Sequence, residues 1–272
     1  MKNKFGITAA AILVALSLSA CSNNNQNSSS SSSKTTSSQV QKKSSSSSSA
    51  SSKQSSSSAK PSSQAPKESR ISKLTAELRK ALPQMLLPTQ DGLGNGSDNL
   101  NVRYTSNSKK NVVYYSVGNS PAAFNAASVK NEKPYAVLTE YKNASSDEVE
   151  EVINYMPEQK GLPTKKLDQN TTATSQGAAG QSYLQWNKNG YSFVIQANSY
   201  KKQNPTKRAK QVLSLYNQYG LPKTAKNGSL HVTVGDSLGS LNTVIAWQNG
   251  NNIYQIKAHD TETAFKMLAS LK

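Results

Sequence analysis

The sequence predicts an α+β domain with an antiparallel sheet, built from two or three β-β-β-α units with helices mostly on one face. Three observations in residues 70–272 support this prediction. Alternating apolar residues mark short strands, helix-capping residues follow the strands, and one spacing of aromatic and aliphatic residues occurs twice. The region has about 200 residues, which is enough for one domain with a substantial core.

The first predicted helix runs from Ile71 to Leu82. Its apolar residues share one face at helical spacing: Ile71, Leu74, Leu78 and Leu82. Pro83 ends it, because proline lacks the N–H that a helix needs. The next segment, Asp91 to Asp98, has the glycines and oxygen ligands of a calcium loop but matches no complete EF-hand pattern. We favour a connector over a calcium site.

A first, degraded repeat unit is predicted at about residues 98–163. Val112 to Val117 and Tyr135 to Tyr141 alternate as strands do. Ser145 and Glu148 have the spacing of a capping box, which predicts a helix from there to about Met156. This unit lacks the tryptophan that the other two contain.

The two clear units cover about residues 164–222 and 223–272. Both contain the spacing W-x6-[FY]-x-I-x-A, formed by Trp186, Phe193, Ile195 and Ala197 and then by Trp247, Tyr254, Ile256 and Ala258. The last three residues of each set share one strand face. Polar turn residues between the tryptophan and that strand indicate a hairpin.

A capped helix is predicted after each of these strands. Asn204 is an N-cap followed by Pro205 at the first helical position, and this helix runs to Tyr219. Asp260 caps the second helix, which runs to Leu271. Trp186 and Trp247 either fill equivalent core positions or form an aromatic platform for a sugar or peptide, and we favour the core.

The first 20 residues are typical of a bacterial secretory signal. Met1 to Lys4 is basic and contains no acid, and an apolar stretch from Ile7 to Leu18 follows. The stretch is shorter than the about 20 apolar residues that span a membrane. It leads into Leu18-Ser19-Ala20-Cys21, which contains the one cysteine of the chain.

This tetrapeptide resembles the lipobox of bacterial prolipoproteins, in which an aliphatic and two small residues precede an acceptor cysteine. The resemblance implies cleavage between Ala20 and Cys21 and attachment of a diacylglyceryl group to the Cys21 thiol. Two acyl chains anchor a protein stably, whereas one binds only marginally. The alternative is an ordinary secretory signal followed by an unrelated cysteine. Beyond the lipobox there is only a general likeness to Gram-positive lipoproteins with serine-rich linkers.

Residues 21–69 are predicted to be the lipidated cysteine and a disordered tether. The segment consists mainly of serine with scattered Lys, Gln and Thr, so it cannot bury enough apolar surface to offset the entropy of ordering. A flexible chain of this length has a root-mean-square span of roughly 40 Å. Its serines are either a bare spacer, which we favour, or sites for O-linked sugars.

Positive charge is the other signal. The chain carries a formal net charge of +17, of which about +10 falls in residues 70–272. Outside the cell the anionic neighbours are lipid head groups and wall polymers rather than nucleic acid. The densest basic cluster is Lys201, Lys202, Lys207, Arg208 and Lys210. It lies at a predicted helix N-terminus, where cations oppose the helix dipole, so it is either a binding face or a generic solvated face.

Residue patterns for catalysis or metal binding are largely missing from the sequence. The two histidines, His231 and His259, lie in or at the end of predicted strands, where ordinary histidines are expected. There is no nucleophile elbow or Walker loop. We therefore expect no enzyme activity, no cofactor and no metal.

The sequence favours a non-catalytic lipoprotein on the outer face of the cell membrane, which binds or senses a component of the envelope. The first alternative is a solute-capturing receptor of a transporter, and the second is a cell-wall enzyme. A deep cleft between two lobes is expected for the receptor, a pocket of converging polar side chains for the enzyme, and a shallow basic face for the favoured function.

Overall fold

A computed structural model of the protein describes residues 68–235 and 239–272. The predicted signal, the lipobox with Ala20 and Cys21, and nearly all of the predicted tether lie outside these residues. The described helices are α1 (Arg70–Ala81), α2 (Ser146–Ile153), α3 (Pro205–Tyr219) and α4 (Thr261–Ala269). The strands are β1 (Leu100–Ser106), β2 (Lys110–Val117), β3 (Pro134–Tyr141), β4 (Thr164–Lys166), β5 (Thr172–Ala178), β6 (Gln181–Lys188), β7 (Tyr191–Asn198), β8 (Gly228–Thr233), β9 (Thr243–Asn249) and β10 (Asn252–Ala258).

The ten strands form one sheet in the order β1-β2-β3-β10-β9-β8-β7-β6-β5-β4. The predicted α+β class is therefore confirmed. The predicted antiparallel sheet is mostly antiparallel but mixed, because β7 and β8 are parallel. These two strands are joined by α3, and a parallel pair needs such a crossover connection.

Three of the four helices pack on one face of the sheet. Buried residues of α1, α3 and α4 belong to a single core cluster with one set of alternating strand residues. Helix α2 lies on the opposite face, where Ile153 packs against Ala246 and Ile253. Helices are thus mostly on one face, as predicted, with α2 as the exception.

Both tryptophans are core residues, which confirms the favoured interpretation. Trp186 is 3% exposed and Trp247 is 1% exposed. Each pairs across a hairpin with the aromatic residue of the repeated spacing, and the rings stack with centroids 4.9 Å apart for Trp186–Phe193 and 5.3 Å apart for Trp247–Tyr254. An aromatic platform open to a ligand is excluded at these two positions.

Strand β3 of the first unit has positions that correspond to the repeated spacing in β7 and β10. The third, fifth and seventh residues of β7 and β10 are the aromatic, Ile and Ala of the repeated spacing, and those of β3 are Ala136, Leu138 and Glu140. Ala136 lies opposite Tyr115, which is fully buried at the place of the missing tryptophan. The core face of β3 therefore follows the same pattern, with a carboxylate where the other two strands have alanine.

Helix starts match the predictions better than helix ends. Asn204 and Asp260 cap α3 and α4 as predicted, and α3 ends at Tyr219 as expected. Helix α2 ends at Ile153 rather than Met156, because Asn154 adopts a left-handed conformation with φ of 48°. Helix α4 ends at Ala269 rather than Leu271, since Leu271 forms a β-bridge with Pro88.

The capping box of α2 is present and allows a first prediction. The Ser145 hydroxyl accepts the Glu148 N–H at 3.3 Å, and the Glu148 carboxylate accepts the Ser145 N–H at 2.9 Å. Ser145→Ala should lower the free energy of unfolding by about 1 kcal/mol, because one N–H at the helix start loses its acceptor. Urea unfolding measures this, with the exposed neighbour Ser146→Ala as control. Equal stability of the two variants would show that the cap contributes nothing.

Candidate functional site

The predicted basic cluster lies where β7 passes into α3. Its members are Lys201, Lys202, Lys207, Arg208 and Lys210. Asn198 holds the connecting turn, because its Oδ1 accepts the Lys201 N–H at 3.1 Å and its carbonyl accepts the Gln203 N–H at 3.3 Å. The Gln203 side chain in turn accepts the Asn198 N–H at 2.8 Å. The turn is therefore held in place by hydrogen bonds at both ends.

Helix α3 places the remaining three basic residues. Asn204 Oδ1 accepts the Thr206 and Lys207 N–H groups at 3.0 and 3.2 Å, so the helix begins where the cap predicts. Lys207 and Lys210 are three residues apart and exposed on one side of the helix. The structure thus brings these two lysines to the same end of α3 as the turn.

Arg208 differs from the four lysines. Its side chain is half-buried and lines a groove of about 280 Å³ between α3 and α4, together with Asp260 and Glu262. Two acidic residues, one in α4 and one at its N-cap, therefore line the same groove as Arg208. Arg208 belongs to the cluster by its place in the sequence, but these two acidic residues partly offset its positive charge.

The basic cluster has no described carboxylate as an ion-pair partner. In residues 68–235 and 239–272, ion pairs within 4.0 Å join Lys80 to Glu77 and Lys266 to Glu262. No member of the cluster takes part in either pair. An unpaired basic surface attracts anions more strongly than one neutralised by its own acids.

Tyr200 is a further exposed residue of this turn, and the sequence interpretation missed it. Its side chain is 84% exposed and directly precedes Lys201. The ring lies over Gly180, where an added Cβ would be 2.0 Å from the ring atom Cε2, so a larger residue at this position would require the exposed ring to move. A single aromatic in an otherwise polar and basic connection was the available sequence signal.

A polar groove of about 430 Å³ lies beside Lys201. Five amide side chains line it, namely Gln181, Gln196, Asn198, Gln203 and Asn242. Amides both donate and accept hydrogen bonds, so they suit hydroxyl groups, while the ammonium group of a lysine suits a phosphate. The groove and the basic cluster together can therefore contact a ligand that carries both groups.

The two histidines do not form a site with other titratable groups. His231 is on β8, where burial lowers the pKa of its imidazole, and its Nε2 has no hydrogen-bond partner in the described part of the chain. His259 follows β10, and its Nδ1 lies 2.9 Å from the Ser240 carbonyl. Of the described residues, no three His, Cys, Asp or Glu side chains lie close enough to hold a metal ion.

The segment from Asp91 to Asp98 is tied to the domain by its first residue. Asp91 Oδ1 accepts the Leu93 N–H at 2.9 Å, and its carbonyl accepts the Tyr135 hydroxyl at 3.1 Å. Asp98 lies further on, in a short 3-10 helix, Ser97–Asn99. One of the two carboxylates that could bind calcium is thus occupied in a local turn.

The helices of the described segments are too short or too polar to cross a membrane. Comparison with known proteins found no matching family model, no matching curated protein and no matching solved structure.

Proposed function

We propose that this chain is a protein held by a lipid anchor on the outer face of the cell membrane. Its domain binds anionic wall polymer without catalysis. The signal of residues 1–20 directs export, Cys21 carries the diacylglyceryl group, and residues 21–69 form the flexible tether. This rests on the match of Leu18-Ser19-Ala20-Cys21 to the lipobox and on its place directly after an apolar stretch. A tether with an extended limit of about 160 Å lets the domain sample the layer above the lipid surface.

The domain consists of three related β-β-β-α units at about residues 98–163, 164–222 and 223–272. Support comes from the matching third, fifth and seventh positions of β3, β7 and β10, and from the helix that follows each of these strands. The unit with β7 has an additional edge strand, β4. The units differ in loops and surface residues, so a binding face belongs to one unit rather than to all three.

The observation that carries the binding proposal is the unpaired basic cluster next to the amide-lined groove. Lysines without carboxylate partners attract phosphate, and the neighbouring amides suit the hydroxyls of a polyol or sugar. Tyr200 adds an exposed aromatic face to the same turn. A polyol phosphate polymer of the teichoic-acid type combines both kinds of group.

Two other functions have less support. The described residues belong to one compact unit, whereas a solute receptor of the two-lobed kind needs a cleft between lobes. Among the described residues that line the amide groove there is no carboxylate or histidine, the side chains that most often act as general acids and bases. A binding module fits the arrangement better than a receptor or a cell-wall enzyme.

Salt dependence tests whether the attraction is electrostatic. Residues 68–272, which contain the described helices and strands, should bind walls that carry anionic polymer at low salt and dissociate at high salt. The reason is that the screening length falls from about 10 Å at 0.1 M to about 3 Å at 1 M. Co-sedimentation measures the bound fraction. Equal binding to walls stripped of anionic polymer, or binding indifferent to salt, would contradict the proposal.

A further inference from the structure

Glu140 is a buried carboxylate in the core face of the sheet. It is 3% exposed and is the seventh residue of β3. The seventh residues of β7 and β10 are Ala197 and Ala258, both fully buried. Packing at this position is therefore satisfied by a methyl group in two strands, so the carboxylate of Glu140 needs another explanation.

Neutral groups supply all hydrogen bonds to this carboxylate. Oε1 accepts the Tyr254 hydroxyl at 2.5 Å and the Asn252 amide at 2.9 Å, and Oε2 accepts the Asn111 amide at 2.8 Å. A carboxylate has about four acceptor positions, so Oε2 has one left. The orientation of Glu140 is thus held by three donors while one acceptor position remains available.

No described cation pairs with Glu140. Lys142 is two residues along the chain, but its Nζ donates to the Asn107 carbonyl at 2.8 Å. Neither of the described ion pairs within 4.0 Å includes Glu140. A buried charge without an opposite charge is unfavourable, so this carboxylate favours a cation brought by a ligand.

A cavity of about 330 Å³ adjoins the carboxylate. Its wall includes Ala81, Leu82 and Pro83, where α1 ends, and also Lys142. The C-terminus of a helix carries a negative partial charge, which Arg79 and Lys80 in the last turn of α1 partly offset. The cavity also has the size of a small organic ligand rather than of a single ion.

We propose that this cavity, the Glu140 pocket, binds a small ligand through a primary ammonium group. An ammonium group has three N–H donors, of which one would bond to the acceptor position left on Oε2 of Glu140. A divalent metal is disfavoured because the described wall residues include one carboxylate, that of Glu140, and one ammonium group, that of Lys142, whereas such ions take several oxygen ligands. The Glu140 pocket is separate from the basic cluster and does not depend on it.

Paired probes test the ammonium requirement. Ethanolamine and alaninamide, at slightly acidic pH, are compared with their N-acetylated forms, in which a somewhat larger neutral amide replaces the ammonium group. Residues 22–272, labelled with ¹⁵N, report binding through the side-chain amide signals of Asn111 and Asn252, which touch Glu140. Both ammonium probes should shift these signals in a saturable way, and both acetylated probes should leave them unchanged.

Two variants test the location. Glu140→Gln removes the charge at nearly constant shape and should weaken binding by about tenfold or more, since a hydrogen bond to a charged group is lost. In case this variant folds poorly, Ala81→Phe blocks the pocket from an exposed position at the end of α1. Its control is Ala269→Phe, which changes the equally exposed last residue of α4. Ala81→Phe should abolish the shifts and Ala269→Phe should keep them.

Three outcomes would overturn the proposal. These are no saturable shift with either ammonium probe, equal shifts with the acetylated probes, or unchanged binding in Ala81→Phe. Failure of the wall-binding proposal in the salt experiment has no bearing on these outcomes, because that experiment concerns another surface of the domain.

Discussion

Replacing Cys21 with alanine is expected to abolish lipid attachment completely. The thiolate is the nucleophile that takes the diacylglyceryl group, and alanine offers no substitute. Without two acyl chains, at about 0.8 kcal/mol for each buried methylene, the protein loses stable membrane binding. Cells fed radiolabelled palmitate should therefore show no label on Cys21→Ala, and the protein should leave the membrane fraction or accumulate with its signal uncut.

The matched control for this variant is Ser19→Ala. It changes another lipobox position but retains a small residue and the acceptor thiol, so labelling should persist. Undiminished labelling of Cys21→Ala would refute lipidation at this residue.

Truncating either core tryptophan is expected to have the largest effect on stability. Trp186 and Trp247 are almost fully buried and stack on Phe193 and Tyr254, so alanine leaves a large cavity at each position. Trp186→Ala and Trp247→Ala should each lower the free energy of unfolding by roughly 3–5 kcal/mol. Chemical denaturation of residues 68–272 measures both changes.

Tyr200→Ala is the control for these truncations, because the Tyr200 ring is largely exposed and its loss should leave stability nearly unchanged. Trp186→Phe tests whether the volume of the buried ring or the polar indole N–H matters for stability. The Trp186 indole N–H has no hydrogen-bond partner among the described residues, so phenylalanine should be tolerated better than alanine. If both alanine variants unfold like the wild type, the stacked pairs do not stabilise the core.

Local signals made much of the fold predictable. Caps such as Asn204 and Asp260 determine where helices begin, because their side chains bind the first free N–H groups. The repeated spacing around Trp186 and Trp247 identified strand faces, because side chains alternate along a strand. Both features depend on residues close together in sequence.

Features set by distant contacts were not predictable. Strand β4 is three exposed residues at the sheet edge, with no apolar alternation to mark it. β3 pairs with β10, which inserts the third unit between the first and the second. The parallel pair of β7 and β8 and the position of α2 on the opposite face likewise depend on how the units assemble.

The same limit applies to the sites. The basic cluster was visible because its residues lie close together in the sequence. The amide groove brings Gln181 and Asn242 together, and the Glu140 pocket joins residues from β2, β3 and β10. Such groupings arise only when strands pair, so a single glutamate at position 140 looked like any other strand residue.

The binding face is tested most directly by comparing two variants of equal charge. The cluster variant changes the basic cluster to Gln: Lys201, Lys202, Lys207, Arg208 and Lys210. The control variant changes five other exposed basic residues to Gln, on α1 and around β2 and β3: Lys73, Arg79, Lys109, Lys110 and Lys130. Both remove four lysines and one arginine. Neither should change the melting temperature much, because all of these side chains except the half-buried Arg208 are exposed, and exposed charges contribute little to stability.

Affinity for purified anionic wall polymer at low salt is the quantity to measure. The cluster variant should bind at least about tenfold more weakly than the wild type, a loss of about 1.4 kcal/mol, while the control variant should stay close to it. Equal losses in the two variants would mean that only overall charge matters, and they would contradict a binding face at the junction of β7 and α3.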